Sequence, residues 1–134
     1  MSDENPTLVV GVPGETFPGE RRVALVPATV RLLTKVGLAV SVQNGAGLQA
    51  GFPDTEYTAA GATLVKDRSA LFAASDVIVK VRDFGGNPEG FGDDLELLRE
   101  GQTVIAMCDP LSEPQAIQKA AAKNVTIFSL EMVP

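Results

Sequence analysis

The chain has 134 residues, 45% of them hydrophobic, enough for one globular domain with its own core and too apolar for a disordered chain. Seventeen acidic residues against eleven basic give a net charge of −6, which argues against a clustered basic face for nucleic acid or an anionic membrane surface. Histidine is absent and cysteine occurs once, so the usual neutral-pH proton carrier is missing, a zinc site lacks ligands, and no internal disulfide can form. The composition therefore predicts a metal-free domain from a reducing, cytoplasmic compartment.

Residues 1–6 read as a polar tail and 7–134 as the domain. Thr7–Val12 is the first predicted strand. It leads into a loop, Gly11–Pro27, stiffened by Pro13 and Pro18 and tightened by Gly14 and Gly19. That loop carries Glu15, Glu20, Arg21 and Arg22. Guanidinium groups at the end of a strand suit a carboxylate or phosphate, although surface ion pairs would satisfy the same spacing. Pro27 opens a helix whose Val30, Leu33 and Val36 share a face, and Gly37 ends it.

Leu38–Val42 is the second strand. The stretch Gly45-Ala46-Gly47-Leu48-Gln49-Ala50 fits the dinucleotide pattern, but Gly51-Phe52-Pro53 follows where a helix must begin, so it reads as a loop. Asp54 is the predicted cap of a short helix to Ala60. Thr63–Val65 is a strand, and Asp67 caps the helix carrying Leu71, Phe72 and Ala74.

Val77–Val81 is the most strand-like run. Alternation puts Lys80 and Arg82 on one face at its end, beside Arg22, as a small anion pocket or as ion pairs at the sheet rim. The glycines and proline between Asp83 and Asp93 predict a mobile loop, with Glu89, Asp93, Asp94 and Glu96 solvated. A short helix at Leu95–Arg99 and a strand at Thr103–Met107 follow. Asp109, just beyond that strand, either orients a ligand or closes its own turn. Ser112 with Gln115 suggests a capping box, and Val125–Leu130 is the last strand.

Strands alternating with helices predict an α/β fold: a doubly wound, mainly parallel sheet of the flavodoxin or Rossmann type with helices on both faces, the flavodoxin-like sandwich being preferred. The apolar ending Leu130-Glu131-Met132-Val133-Pro134 suggests a fragment of something longer.

Several stretches together carry a family resemblance: Gly11–Ala28, Asn44-Gly45-Ala46-Gly47 with Gly51-Phe52 and Tyr57, Ala59–Ala62, Asp76–Val81, Gly101-Gln102 and Leu130–Pro134. They resemble the N-terminal domain shared by alanine dehydrogenases and the α subunit of proton-translocating NAD(P) transhydrogenase, from about Leu8 to the end. Within that family the details favour the transhydrogenase branch. Arg22 matches the arginine that holds the substrate carboxylate in the dehydrogenases. Arg82 stands where they carry a second lysine, and Asp109 where they carry a histidine that helps the chemistry.

The resemblance implies a part of the NAD(H)-side component, in which the following Rossmann domain binds most of the NAD(H) and NADP(H) sits on a partner domain or subunit. It further implies a homodimer, attached through its partners to the inner membrane, that passes hydride while protons are translocated. This stretch alone is expected to hold no catalytic residue. Arg22, Lys80, Arg82 and Asp109 are its candidate cleft residues. The alternatives are the substrate domain of an alanine dehydrogenase-like enzyme and a non-enzymatic binding module.

Overall fold

A computed structural model describes residues 7–134. Six strands form one sheet in the order β3-β2-β1-β4-β5-β6: β1 Val9–Val12, β2 Ala39–Gln43, β3 Thr63–Val65, β4 Val77–Arg82, β5 Thr103–Met107 and β6 Thr126–Ser129. Every pairing is parallel. The doubly wound sheet is as expected. Its strand order is the six-stranded Rossmann one rather than the five-stranded flavodoxin one.

Five α-helices connect the strands: α1 Pro27–Lys35, α2 Asp54–Ala59, α3 Arg68–Ala74, α4 Phe91–Leu97 and α5 Pro114–Ala121. Two cores result, one on each side of the sheet. Val30 of α1 and Tyr57 of α2 pack on Val12, Val40 and Val42. On the other side Phe72 of α3 and Ala116 and Ala120 of α5 pack on Ile78, Val104 and Ala106, with Phe91 and Leu95 of α4 against them. Each fully buried Val, Ile or Phe side chain here contributes about 1.5–3 kcal/mol.

The second side of the β4–β6 half is less covered. Register places Val79, Ile105 and Phe128 in one row across three strands, on the side of α1 and α2. Phe128 is 54% exposed, and Leu130 just beyond it is 49% exposed.

Several local expectations are revised. The first and second strands begin two and one residues later than their apolar runs, and Thr126–Ser129 replaces Val125–Leu130. Val36 is the C-terminal cap of α1 and is exposed rather than on the buried face. Asp54 is the first helical residue, not the cap, because its carboxylate reaches back to the Gly45 N–H at 2.8 Å. Asp67 does cap α3, accepting from the Ala70 N–H at 3.0 Å. Ser112 and Gln115 form no capping box, since α5 starts at Pro114 with Glu113 before it.

The largest revision concerns Asp83–Asp93. Rather than an open loop, it makes a 3-10 turn at Phe84–Gly86 and then enters α4 at Phe91, four residues before the predicted helix start. Phe84, Gly85 and Asn87 are buried. The glycines allow that burial: a Cβ on Gly86 would sit 2.4 Å from the Met107 carbonyl oxygen.

Candidate functional site

The C-terminal ends of the strands are where an open α/β sheet presents its ligands. At that edge the β1–α1 loop folds into a fixed shape. Pro18 and Gly19 occupy the centre of a turn closed by the Glu20 N–H on the Phe17 carbonyl at 3.0 Å. Gly19 has φ 84, the positive value that the third position of a type II turn requires.

Side chains from three other elements pin the loop. The Gln43 side-chain oxygen accepts from the Gly14 N–H at 2.8 Å and from Arg68 Nη1 at 2.9 Å, and the same Nη1 donates to the Gly14 carbonyl at 2.9 Å. Asn87 donates to the Thr16 hydroxyl at 2.7 Å. The Glu15 carboxylate accepts from the Val81 and Arg82 N–H groups at 2.8 and 3.0 Å.

The outcome of this bracing is a pair of arginines on one carboxylate. Glu20 accepts from Arg22 Nε and Nη2 at 2.9 and 2.8 Å and from Arg82 Nε at 2.8 Å. Arg82 also lies over the Phe17 ring, 4.2 Å from its centroid. The forked bond from Arg22 holds the Glu20 carboxyl far below the usual range, and Arg82 adds to it against the opposing effect of burial. Arg22 stays 59% exposed, so it can still meet a ligand. It lines a polar cleft of about 310 Å³ with Glu20, Arg21, Gln43 and Arg68. On its other side it borders a more apolar cleft of about 340 Å³ lined by Leu25, Val79, Ile105, Met107 and Leu130.

Lys80 is elsewhere. Its side chain is fully buried, 2.7 Å from Asp94 and 3.3 Å from Asp83. Residue Ile78, two positions earlier, faces the α3–α5 core, and Lys80 follows it to that side. The expected alternation with Arg82 fails because β4 carries a bulge: Val79 pairs with Ile105 and Arg82 with Met107, three steps against two. Asp94 of α4 is therefore buried, not solvated. It binds Lys80 and takes a two-point bond from Arg68 at 2.7 Å each. Burial works to raise its pKa, but Arg68 and Lys80 hold it below the usual carboxylate value. Asp83 goes the other way, raised by burial despite Lys80.

Asp109 does lie at the edge, exposed and in the left-handed region with φ 44. Its carboxylate pairs with none of the three cations. Its N–H and that of Cys108 go to the Glu131 carboxylate at 2.7 and 3.0 Å. The structure thus joins Arg22 to Arg82, leaves Asp109 apart on the neighbouring strand end, and removes Lys80 to the opposite side of the sheet. Glu20, the link between the two arginines, was legible only as an acid two residues before Arg22. Nothing in the spacing pointed to Arg68 or Glu131.

The other reactive groups are closed off. Burial pushes the Cys108 thiol and the Tyr57 hydroxyl each up to about 12, and Tyr57 donates to the Leu25 carbonyl at 2.8 Å. No group of three or more metal-ligating side chains occurs among the described residues. No helix there is long and apolar enough to cross a membrane.

Gly45–Ala50 forms turns that close back on themselves, with Phe52 N–H on the Gly47 carbonyl at 2.9 Å, and no α-helix opens until Asp54. The turn after β1 does not open a helix directly either, since α1 begins only at Pro27. Neither connection can seat a pyrophosphate on a helix N-terminus, so these residues do not fit a dinucleotide by themselves.

Comparison with known proteins agrees with this geometry. The NAD(P) transhydrogenase subunit alpha of Cereibacter sphaeroides is 38% identical over 93% of this chain and 23% of its own length. The alanine dehydrogenase of Methanococcus maripaludis is 32% identical over 94% of this chain and 32% of its own. The crystal structure of transhydrogenase from Sinorhizobium meliloti superposes with a TM-score of 0.83 at 35% identity, covering 94% of this chain and 36% of that one. The chain therefore spans about a quarter to a third of the length of these relatives. The model of the alanine dehydrogenase/PNT N-terminal domain matches residues 11–134, and the chain belongs to that family.

Proposed function

We propose that this domain is part of the NAD(H)-side α subunit of an NAD(P) transhydrogenase, where it forms one wall of the cleft in which hydride passes from NADH to NADP+. The observation that carries this reading is the lack, among the described residues, of a histidine or of a free lysine, thiol or phenol at the ligand edge of β1, β4 and β5, where the exposed Asp109 carboxylate is left as the acid–base group. The chain has no histidine. Tyr57 and Cys108 are buried with high pKa values, and Lys80 is held between two buried carboxylates. Hydride transfer between two nicotinamide rings moves two electrons and one hydrogen from carbon to carbon, so the protein need supply no proton. Reductive amination of a keto acid does need proton transfers, and a positioned base to make them.

The nicotinamide nucleotides supply the redox chemistry, and this chain's residues border the NAD(H) cleft without holding a nucleotide by themselves. Their place is in the Rossmann domain expected to follow and in a partner that binds NADP(H). What this domain supplies is a rigid edge: Arg22 and Arg82, aligned on Glu20, for an anionic group, and the apolar row at Val79, Ile105 and Phe128 for a covering partner. In the same reading the assembly is a homodimer on the cytoplasmic side of the inner membrane, coupled through its partners to proton translocation.

The arginine pair also supports a second reading, a substrate domain of an alanine dehydrogenase-like enzyme, because two guanidinium groups suit a keto-acid carboxylate. One assay separates the two. The full protein with its natural partners is given NADH deuterated at C4 with NADP+, and separately NADH with pyruvate and ammonia. Deuterium in NADPH without alanine formation is expected. Alanine formation without transfer to NADP+ would overturn the proposal, and Arg22→Ala should then raise the pyruvate KM sharply.

A further inference from the structure

We propose that Glu15 and Glu131 are a pair of positioning carboxylates. Each grips two successive backbone N–H groups at the C-terminal end of one of two adjacent strands, and so sets where Arg82 and Asp109 stand along the ligand edge. The part of this that concerns ligand binding rests on the functional reading above. The clamp itself rests on geometry alone.

In a regular strand, successive N–H groups point to opposite neighbours. Two adjacent N–H groups converge on one acceptor only where the ladder is broken. Both strand ends are broken in this way. In β4 the bulge between Val79 and Arg82 turns the N–H groups of Val81 and Arg82 to one side, where the two oxygens of Glu15 receive them at 2.8 and 3.0 Å. Beyond β5, Asp109 enters the left-handed region, and the N–H groups of Cys108 and Asp109 meet the two oxygens of Glu131 at 3.0 and 2.7 Å. Paired N–H groups of this kind form an anion-binding concavity, and each is filled here by a carboxylate of the chain itself.

The two carboxylates come from distant segments, Glu15 from the β1–α1 loop and Glu131 from the turn after β6. Each therefore ties a strand end to another part of the chain. Arg82 is tied twice to one loop: Glu15 takes its backbone N–H and Glu20 its side chain. Glu131 is itself steadied by the Ser129 hydroxyl at 2.6 Å. A glutamine at either position has the same shape but only one acceptor. Its amide N–H₂ would face the second backbone N–H, donor against donor, so Glu→Gln removes the clamp with little change in volume.

The test reads residue-resolved amide hydrogen exchange by NMR in the full chain carrying Glu15→Gln or Glu131→Gln. Glu15→Gln should speed exchange at Val81 or Arg82 about tenfold or more, leaving Cys108 and Asp109 unchanged, and Glu131→Gln should do the reverse. Ser129→Ala, a milder change, should speed Cys108 and Asp109 about threefold. Unchanged rates, or equal acceleration at all four amides as from general loosening, would overturn the clamp.

In the protein assembled with its natural partners, both Glu→Gln variants should raise the KM for NADH about threefold or more. A fall in kcat at unchanged KM, as simple loss of folded enzyme gives, would overturn the positioning role. Exchange is read without nucleotide, so a wild-type assembly that transfers no hydride would refute the functional reading while the exchange pattern still decides the clamp.

Discussion

Replacing Lys80 by methionine separates the structure's account of this residue from the sequence-based one. The ammonium group lies between Asp94 and Asp83 with no solvent exposure of its side chain. Methionine keeps the length of the stem and removes the charge, leaving two buried carboxylates near one another with Arg68 alone to offset them. Breaking a buried ion pair in this way costs about 3–5 kcal/mol. For 134 residues the unfolding entropy is about 0.28 kcal/mol per kelvin, so Tm should fall by about 11–18 °C. The pH dependence should change too. Asp83 already has a folded pKa above its ordinary 3.8, and losing Lys80 raises it further. The folded variant then binds a proton that the unfolded chain lacks, so its stability should rise as pH falls through that raised pKa towards 3.8. Calorimetry between pH 7 and 4 (about the range where stability is usually greatest and just below it) reads both effects. A variant that melts within about 3 °C of the wild type, yet binds nucleotide poorly in the assembly, would refute the buried network and return Lys80 to the cleft.

Four further outcomes follow from particular residues. Gly47→Ala should lose about 1–3 kcal/mol in chemical denaturation, because its Cβ would stand 2.5 Å from the Tyr57 ring and 2.9 Å from the Phe52 carbonyl oxygen. Gly92→Ala, inside α4 with nothing within 4 Å, should instead gain about 0.5–1 kcal/mol, and a loss there would show that α4 is misplaced. Burial acts to raise the Glu131 pKa, but the bonds from Ser129, Asp109 and Cys108 hold it down to about 2. Its contribution to stability should be complete above 4.5 and disappear as pH falls through about 2, and a carboxyl ¹³C titration with a midpoint near 4.5 would contradict this. The Cys108 thiol, fully buried and pushed up to about 12, should react with a disulfide reagent only as fast as the domain opens, and rapid labelling of the native protein would count against its placement.

The layering was legible because it depends on local patterns. Short apolar runs such as Val77–Val81 and Thr103–Met107, each followed by turn residues and a helix start, leave few alternatives to a parallel sheet. The same patterns misread the stretch from Asp83 to Asp93. Glycine and proline there say only that the backbone turns. Whether the turn is exposed depends on Phe84 entering a core built by α5, more than thirty residues later, and on Met107 lying close enough to exclude a Cβ at Gly86.

The candidate site failed and succeeded for one reason, the bulge in β4. Strict alternation joins Lys80 to Arg82, and one additional residue in the strand separates them, sending the lysine to Asp94 and the arginine to Glu20. The bulge also leaves two N–H groups that the neighbouring strand does not take, and Glu15 answers them from a loop 66 residues away in sequence. A buried lysine, a bridged arginine pair and a clamped strand end are thus three consequences of a single irregularity. An irregularity of register is a relation between two strands, β4 and β5, so neither strand's own sequence could disclose it.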